Sequence, residues 1–322
     1  MKSKILKVLL TALMPVSSMA VAQNYPSRPV SIVIAFGPGA STDIETRIYT
    51  QKLTEYTGQP FVIDYKPGAG TTIGSAFVAR AAPDGHTLYA ITGSFNTSAA
   101  LFPKLAYDPI KDFAPISIMS GRTTLIVTHP DRPYKTLKEY IAYARANPGK
   151  VNVATTGAGG SPHLNAAWFH QLINANVTYV HYKSSAAAQI DLMAGLTDFY
   201  LSTTLSAVPH LKSGKQRALA IANLERSPIF PDLLTASELG APGFDYSSIF
   251  GFITQAAVPQ PIIARLAAEL QRTAKAPDVA KKIEADGGFM IGSTPAQFRE
   301  VLVTEISRYR KIAQDNKISL DE

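Results

Sequence analysis

The stretch VSIVIAFGPGASTDIETRI (residues 30–48) limits the possible folds more than any other part of the chain. Residues 30–36 form a nearly unbroken apolar, β-branched run, the pattern of a strand buried on both faces of a parallel sheet. Ile44, Ile48, Tyr49 and Leu53 then recur at helical spacing as far as Gly58. Between strand and helix lies a turn, Gly37-Pro38-Gly39-Ala40, followed by Ser41, Thr42 and Asp43. The first amides of a helix have no partners inside it and carry partial positive charge, so such a junction is suited to an anion.

The scheme repeats along the chain. PFVIDYKPGAG (60–70) is a strand running into a Pro-Gly turn, residues 73–82 read as a helix, and HTLYAIT (86–92) is a third strand opening into Gly93-Ser94-Phe95-Asn96. Strands alternating with helices predict an α/β fold with a parallel sheet flanked by helices. Near residue 122 the scheme restarts with TTLIVTH (123–129), a helix ended by Pro148-Gly149, and VNVATTGAGGSPH (151–163). The last of these is a second strand, glycine loop and helix, whose stripe is Leu164, Trp168 and Leu172. AFGPGASTD in the first half is thus echoed by ATTGAGGSPH in the second. In the tail, Thr294-Pro295-Ala296-Gln297 reads as a capping box opening a long final helix.

The first 22 residues read as a secretory signal: Lys2, Lys4 and Lys7, a short apolar core, and Ala20-Val21-Ala22 as a small-x-small cleavage site. That core is shorter than the roughly 20 residues that span a bilayer. The remaining 300 residues exceed the roughly 250 at which single cores divide, so two lobes are expected. The formal charge falls from +7 to +4 when the three signal lysines leave, and no basic tract points to nucleic acid. The chain has no cysteine, which removes disulfide and thiol chemistry.

The residues give little support to catalysis. GPGAST lacks the Gly-Lys-Ser/Thr ending of a nucleotide P-loop, and neither Ser41 nor Ser161 sits in a Gly-x-Ser-x-Gly elbow. The histidines at 86, 129, 163, 170, 181 and 210 show no metal-ligand spacing, and no cofactor motif is present. Two helix N-termini facing one another across a cleft would instead hold an anion without reacting with it, through loop amides and hydroxyls. His163 lies inside the second glycine loop and is a candidate for ligand contact. Asp43 reads as the cap of its own helix.

These motifs resemble a known family. YPSRPVSIVIAFGPGASTDIETR, PGAGTTIGSAFVARAAPDGHTL, LFPKLAYDPIKDFAPIS, NPGKVNVATTGAGGSPH, HYKSSAAAQIDLMAG and SGKQRALAI look like the periplasmic solute-binding proteins of tripartite tricarboxylate transporters, the Bug family. The resemblance covers essentially all of the chain after residue 22. It implies a two-lobed type II periplasmic binding fold, each lobe a mostly parallel sheet flanked by helices. Lobe 1 would comprise residues 23–125 plus about 246–279, and lobe 2 residues 126–245 plus about 280–322. It further implies a periplasmic monomer, cleaved near Ala22, that delivers a small carboxylate to membrane permease subunits and is neither membrane-embedded nor an enzyme. The site residues it implies are Phe36, Gly37, Gly39, Ala40, Ser41 and Thr42 in the first loop, and Ser94, Phe95 and Asn96 at the next strand end. In the second lobe they are Thr155, Thr156, Gly157, Gly160, Ser161, His163, Tyr182 and Thr203.

Departures from the family pattern bear on the ligand. Many relatives carry an acidic Asp-Asn type pair where this chain has Thr203-Thr204. Losing that carboxylate removes both repulsion toward a second ligand carboxylate and a partner for an ammonium, which favours a dianion over an amino acid. Phe36 and Phe95, if both line the cleft, would suit an aromatic dicarboxylate such as terephthalate; an aliphatic di- or tricarboxylate stands beside it. A receptor presenting the ligand to a sensor kinase, and an exported carboxylic-ester hydrolase dependent on Ser161, are the other readings.

Overall fold

The structure, a computed structural model, describes residues 25–285 and 287–319. The expected signal segment lies outside the described residues. Two sheets organise the chain. The first has the order β11-β4-β10-β3-β1-β2, with β1 Val30–Ile34, β2 Phe61–Tyr65, β3 Thr87–Thr92, β4 Phe113–Arg122, β10 Ser248–Gln255 and β11 Gly288–Met290. The second has the order β7-β6-β8-β5-β9, with β5 Thr124–Thr128, β6 Asn152–Thr156, β7 Thr178–Tyr182, β8 Phe199–Thr203 and β9 Arg217–Ile221.

The expected parallel order holds for β2-β1-β3 and for β7-β6-β8. Val30, Ile32, Val33 and Ile34 of β1 are fully buried, because helices cover both faces of that strand. The remaining pairings, made by β4, β5, β9, β10 and β11, are antiparallel. The chain leaves the first sheet at the end of β4, enters the second as β5 after Thr123, and returns before β10. Neither β4 nor β10 has an alternating pattern: both are buried on nearly every residue, as linking strands covered on both faces must be.

The tail departs from the sequence reading, which puts about 280–322 with the second lobe. β11 pairs with β4, and Phe298 and Leu302 of the final helix Pro295–Asp315 join the core of the first sheet. Only further along does that helix reach the second lobe, where Tyr309, Ile312 and Ala313 pack with Leu164 and Ala167. Twenty-one residues of helix are long enough to lie along both lobes. Its start is the predicted capping box, with Thr294 and Gln297 bonding each other's backbone amides. Among the described residues no helix is long and apolar enough to cross a membrane.

Candidate functional site

The two glycine loops enter their helices by the same turn. The first leads from β1 to the helix Ser41–Thr57 and the second from β6 to the helix Ser161–Leu172. In each, a glycine sits in the left-handed region two residues before the helix, Gly39 at φ +79° and Gly159 at φ +70°. The next residues, Ala40 and Gly160, are the N-caps, with φ/ψ of −65°/155° and −68°/163°. Their amides close the turn onto the carbonyls of Gly37 (3.3 Å) and Gly157 (3.2 Å).

In each loop a side chain from the third helical residue reaches back to the left-handed glycine. Asp43 Oδ2 accepts the Gly39 amide at 2.8 Å, and His163 Nδ1 accepts the Gly159 amide at 3.1 Å. Asp43 is therefore not the N-cap; it braces the loop from inside the helix. Its other oxygen accepts from Tyr65 Oη at 2.8 Å and pairs with Arg47 at 3.0 Å. Burial alone would raise this carboxyl, but the bonds from Gly39, Tyr65 and Arg47 outweigh it and hold the group below the usual carboxylate range. His163 is pushed down to about 4 by burial and then by neighbouring His181, whose ring centroid is 4.5 Å away. It is neutral at physiological pH, and with Nδ1 accepting, the ring proton is on Nε2.

Between the lobes lies a cleft of about 390 Å³ where these loops approach each other. Phe36 and Gly37 line it from the first loop, Ala158, Gly159 and Gly160 from the second, and Ser94 from the end of β3. The helix Gly93–Leu101 starts against the second lobe, and a side chain at Gly93 would meet Ser161 Oγ at 3.2 Å. The starts of two helices, at Ser94 and at the N-cap Gly160, thus line the cleft and favour negative charge, and the first loop reaches it through Phe36 and Gly37.

The sequence reading missed one wall. Pro67, Gly68, Gly70 and Thr71 line the cleft, as do Thr97, Ser98 and Phe102. Gly68, Ala69, Gly70 and Thr71 all have positive φ, and for Ala69 (+44°) and Thr71 (+86°) this is a strained conformation. The strain is held by bonds to carbonyls: Ser75 Oγ (3.0 Å) and Tyr89 Oη (3.2 Å) donate to Thr71, and Ser98 Oγ donates to Gly70. The PGAG motif after β2 was the available signal, since it too is a strand ending in glycines.

Several predicted residues stand elsewhere. Gly93 opens a helix, not a loop, and that turns Phe95 and Asn96 away from the cleft. Phe95 is 1% exposed, packed edge-on to Tyr89 and Phe113 and stacked on Tyr107; no face is left for an aromatic ligand. Such a ring contributes packing on the order of 3–5 kcal/mol. Asn96 is buried and donates to Glu305 of the final helix. Thr155 is buried and bonds His181 Nδ1 at 2.7 Å, Tyr182 Oη donates to Asp191 at 2.8 Å, and Thr203 caps the next helix, 3.4 Å from Ser206 Oγ. Ser161 is buried, 3.4 Å from Tyr246 Oη, and no imidazole bonds it. Gly39 and Ser41 are exposed, Ala40 and Thr156 half-buried, Thr42 buried, and Gly157 donates to the Tyr182 carbonyl at 3.0 Å. None of these is among the residues that line the cleft; Gly39, Ala40, Ser41, Thr42, Thr156 and Gly157 belong to the two loops that do. Among the described residues no group of three His, Asp or Glu side chains is placed to hold a metal.

A model of the tripartite tricarboxylate transporter family receptor matches residues 46–318. The chain belongs to that family. BugT of Bordetella pertussis is 31% identical to this receptor over 301 residues, 93% of this chain and 92% of BugT. MatC from Rhodopseudomonas palustris, solved with bound malate, is 33% identical, with a TM-score of 0.74 over 89% of this receptor and 99% of MatC. R. palustris Rpa4515, solved with adipate, is 27% identical, with a TM-score of 0.77 over 92% of this receptor and 99% of its own chain. The fold is thus that of the solute-binding proteins, and the family is one of receptors.

Proposed function

We propose that this receptor captures a small aliphatic dicarboxylate between its lobes and hands it to the membrane subunits of a tripartite tricarboxylate-type transporter. The doubled loop carries this reading: two glycine loops that lead into helices by the same turn line one small cleft, one from each lobe, and suit a ligand with a carboxylate at each end. The first loop's own carboxylate, Asp43, is already paired with Arg47 and accepts from Tyr65. Relatives solved with malate and adipate bind diacids of this kind. With Phe95 in the core, the aromatic alternative rests on Phe36 alone, so the aliphatic class is preferred. Export by the N-terminal segment, action as a monomer, and closure of the lobes about the crossings near Thr123 and residue 245 complete the reading.

A thermal-shift series on the chain without residues 1–22 tests it, with malate, adipate, citrate, aspartate and terephthalate as probes. A ligand at about a hundred times its dissociation constant adds roughly 2.7 kcal/mol of stability. Malate or adipate should shift the melting temperature and aspartate should not. No shift with any carboxylate would overturn the reading, and a shift with terephthalate alone would overturn the aliphatic assignment.

A further inference from the structure

A second, larger groove of about 1190 Å³ lies between the lobes beside the strands that connect them. The first lobe lines it with Ile118, Phe289 and Ile291 and with one side of the final helix; the second lines it with the segment 223–229 that follows β9. It shares no lining residue with the carboxylate cleft.

Two properties set this groove apart from ordinary surface. Leu224, Ile229, Phe289 and Ile291, between 39% and 53% exposed, come together here from two lobes. Scattered apolar residues are normal on a surface, but a contiguous patch marks an interaction site. The groove is also acidic, on a chain of formal charge +7. Glu225, Glu284 and Glu300 line it, are exposed, and form no ion pair among the described residues. Among the described residues the lining's one cation, Arg226, is tied to Glu238 at 2.5 Å.

We propose that this groove docks a segment of a second protein in which large apolar side chains are interspersed with lysine or arginine. The apolar floor supplies the contact area and the unpaired carboxylates select the charge. The same carboxylates repel nucleic acid and anionic lipid, so a polypeptide is the occupant the chemistry favours. The proposal does not depend on which carboxylate the cleft takes, and its test does not use the cleft.

Fluorescence anisotropy with the full chain tests it, using a short labelled peptide of alternating leucine and lysine, and one of alternating leucine and glutamate. The lysine peptide should bind saturably and release as salt is added, and the glutamate peptide should not bind. Ile229→Ser, and separately Glu225→Lys with Glu300→Lys, should each weaken binding by about tenfold or more, the loss expected at a docking hot spot. All three side chains are exposed, so these variants should melt as the parent does. Ile190→Ser, at a 61% exposed site outside the groove, should leave binding unchanged. No saturable binding, equal binding of the glutamate peptide, or an Ile190→Ser loss as large as that of Ile229→Ser would each overturn the proposal.

Discussion

At Gly39 the loop amide is held by a carboxylate, and at Gly159, in the matching turn, by an imidazole. The turn geometry needs only an acceptor in the first turn of the helix, four residues after the left-handed glycine, and either group supplies one. What differs is charge. Asp43 brings a negative charge toward a site built for anions, and Tyr65 and Arg47 accompany it. His163, kept neutral by burial and by His181, brings none, and the rings of Tyr179 and His181 pack against it. The two loops share the turn that opens their helices but not its electrostatics, and that inequality can be measured.

The largest difference should appear on removing the anchors. Asp43→Ala deletes a charged acceptor with three donors and leaves Arg47 without its carboxylate, so we expect a loss of about 3 kcal/mol in denaturant unfolding. His163→Ala deletes one bond to a neutral acceptor, for about 1 kcal/mol. Equal losses would break the comparison.

Acid should separate the loops next. The folded-state value for His163, about 4, lies below its ordinary 6.5, so its contribution to stability is full above about pH 6.5 and is lost as pH falls toward 4. Fully buried His170, also held to about 4, adds to the same loss. Asp43 is held below the usual carboxylate range, so its loop keeps its anchor through this window. In an NMR titration the Gly159 amide should move with a midpoint near 4, while the Gly39 amide should stay fixed until more acid pH. Parallel movement of both amides would show that the anchors are not independent.

The smallest difference lies at the first glycine of each loop. Gly157 has φ +72° and open space where a side chain would go, so Gly157→Ala should cost about 1–2 kcal/mol through backbone strain alone. Gly37, in equally open space without a positive φ, should accept alanine within about 0.5 kcal/mol. Thermal unfolding of the two variants checks this.

Much of this is legible in the order of residues. The apolar run of residues 30–36 specifies a buried strand, glycines at 39 and 159 permit a turn that other residues enter only with strain, and Thr294 with Gln297 caps a helix. Each is local, decided by neighbours within a few positions. The echo between AFGPGASTD and ATTGAGGSPH is likewise local, so the doubled loop is visible in the amino-acid order alone.

Other outcomes depend on contacts between distant parts. β4 and β10 carry no distinctive period because, as linking strands, they are covered on both faces, and β11 is set in the first sheet by pairing with β4. The carboxylate of Asp43 and the imidazole of His163 become braces only because Gly39 and Gly159 turn their amides inward. Phe95 reads as a ligand contact only if Gly93 belongs to a loop. Because Gly93 starts a helix, the same ring points at Tyr89, Tyr107 and Phe113, which lie up to 18 positions away in sequence. The sequence by itself therefore determined which segments turn and which extend as strands or coil as helices. The tertiary structure decided which side chains face the cleft, because direction is set by the packing partner across the fold and not by the neighbour along the chain.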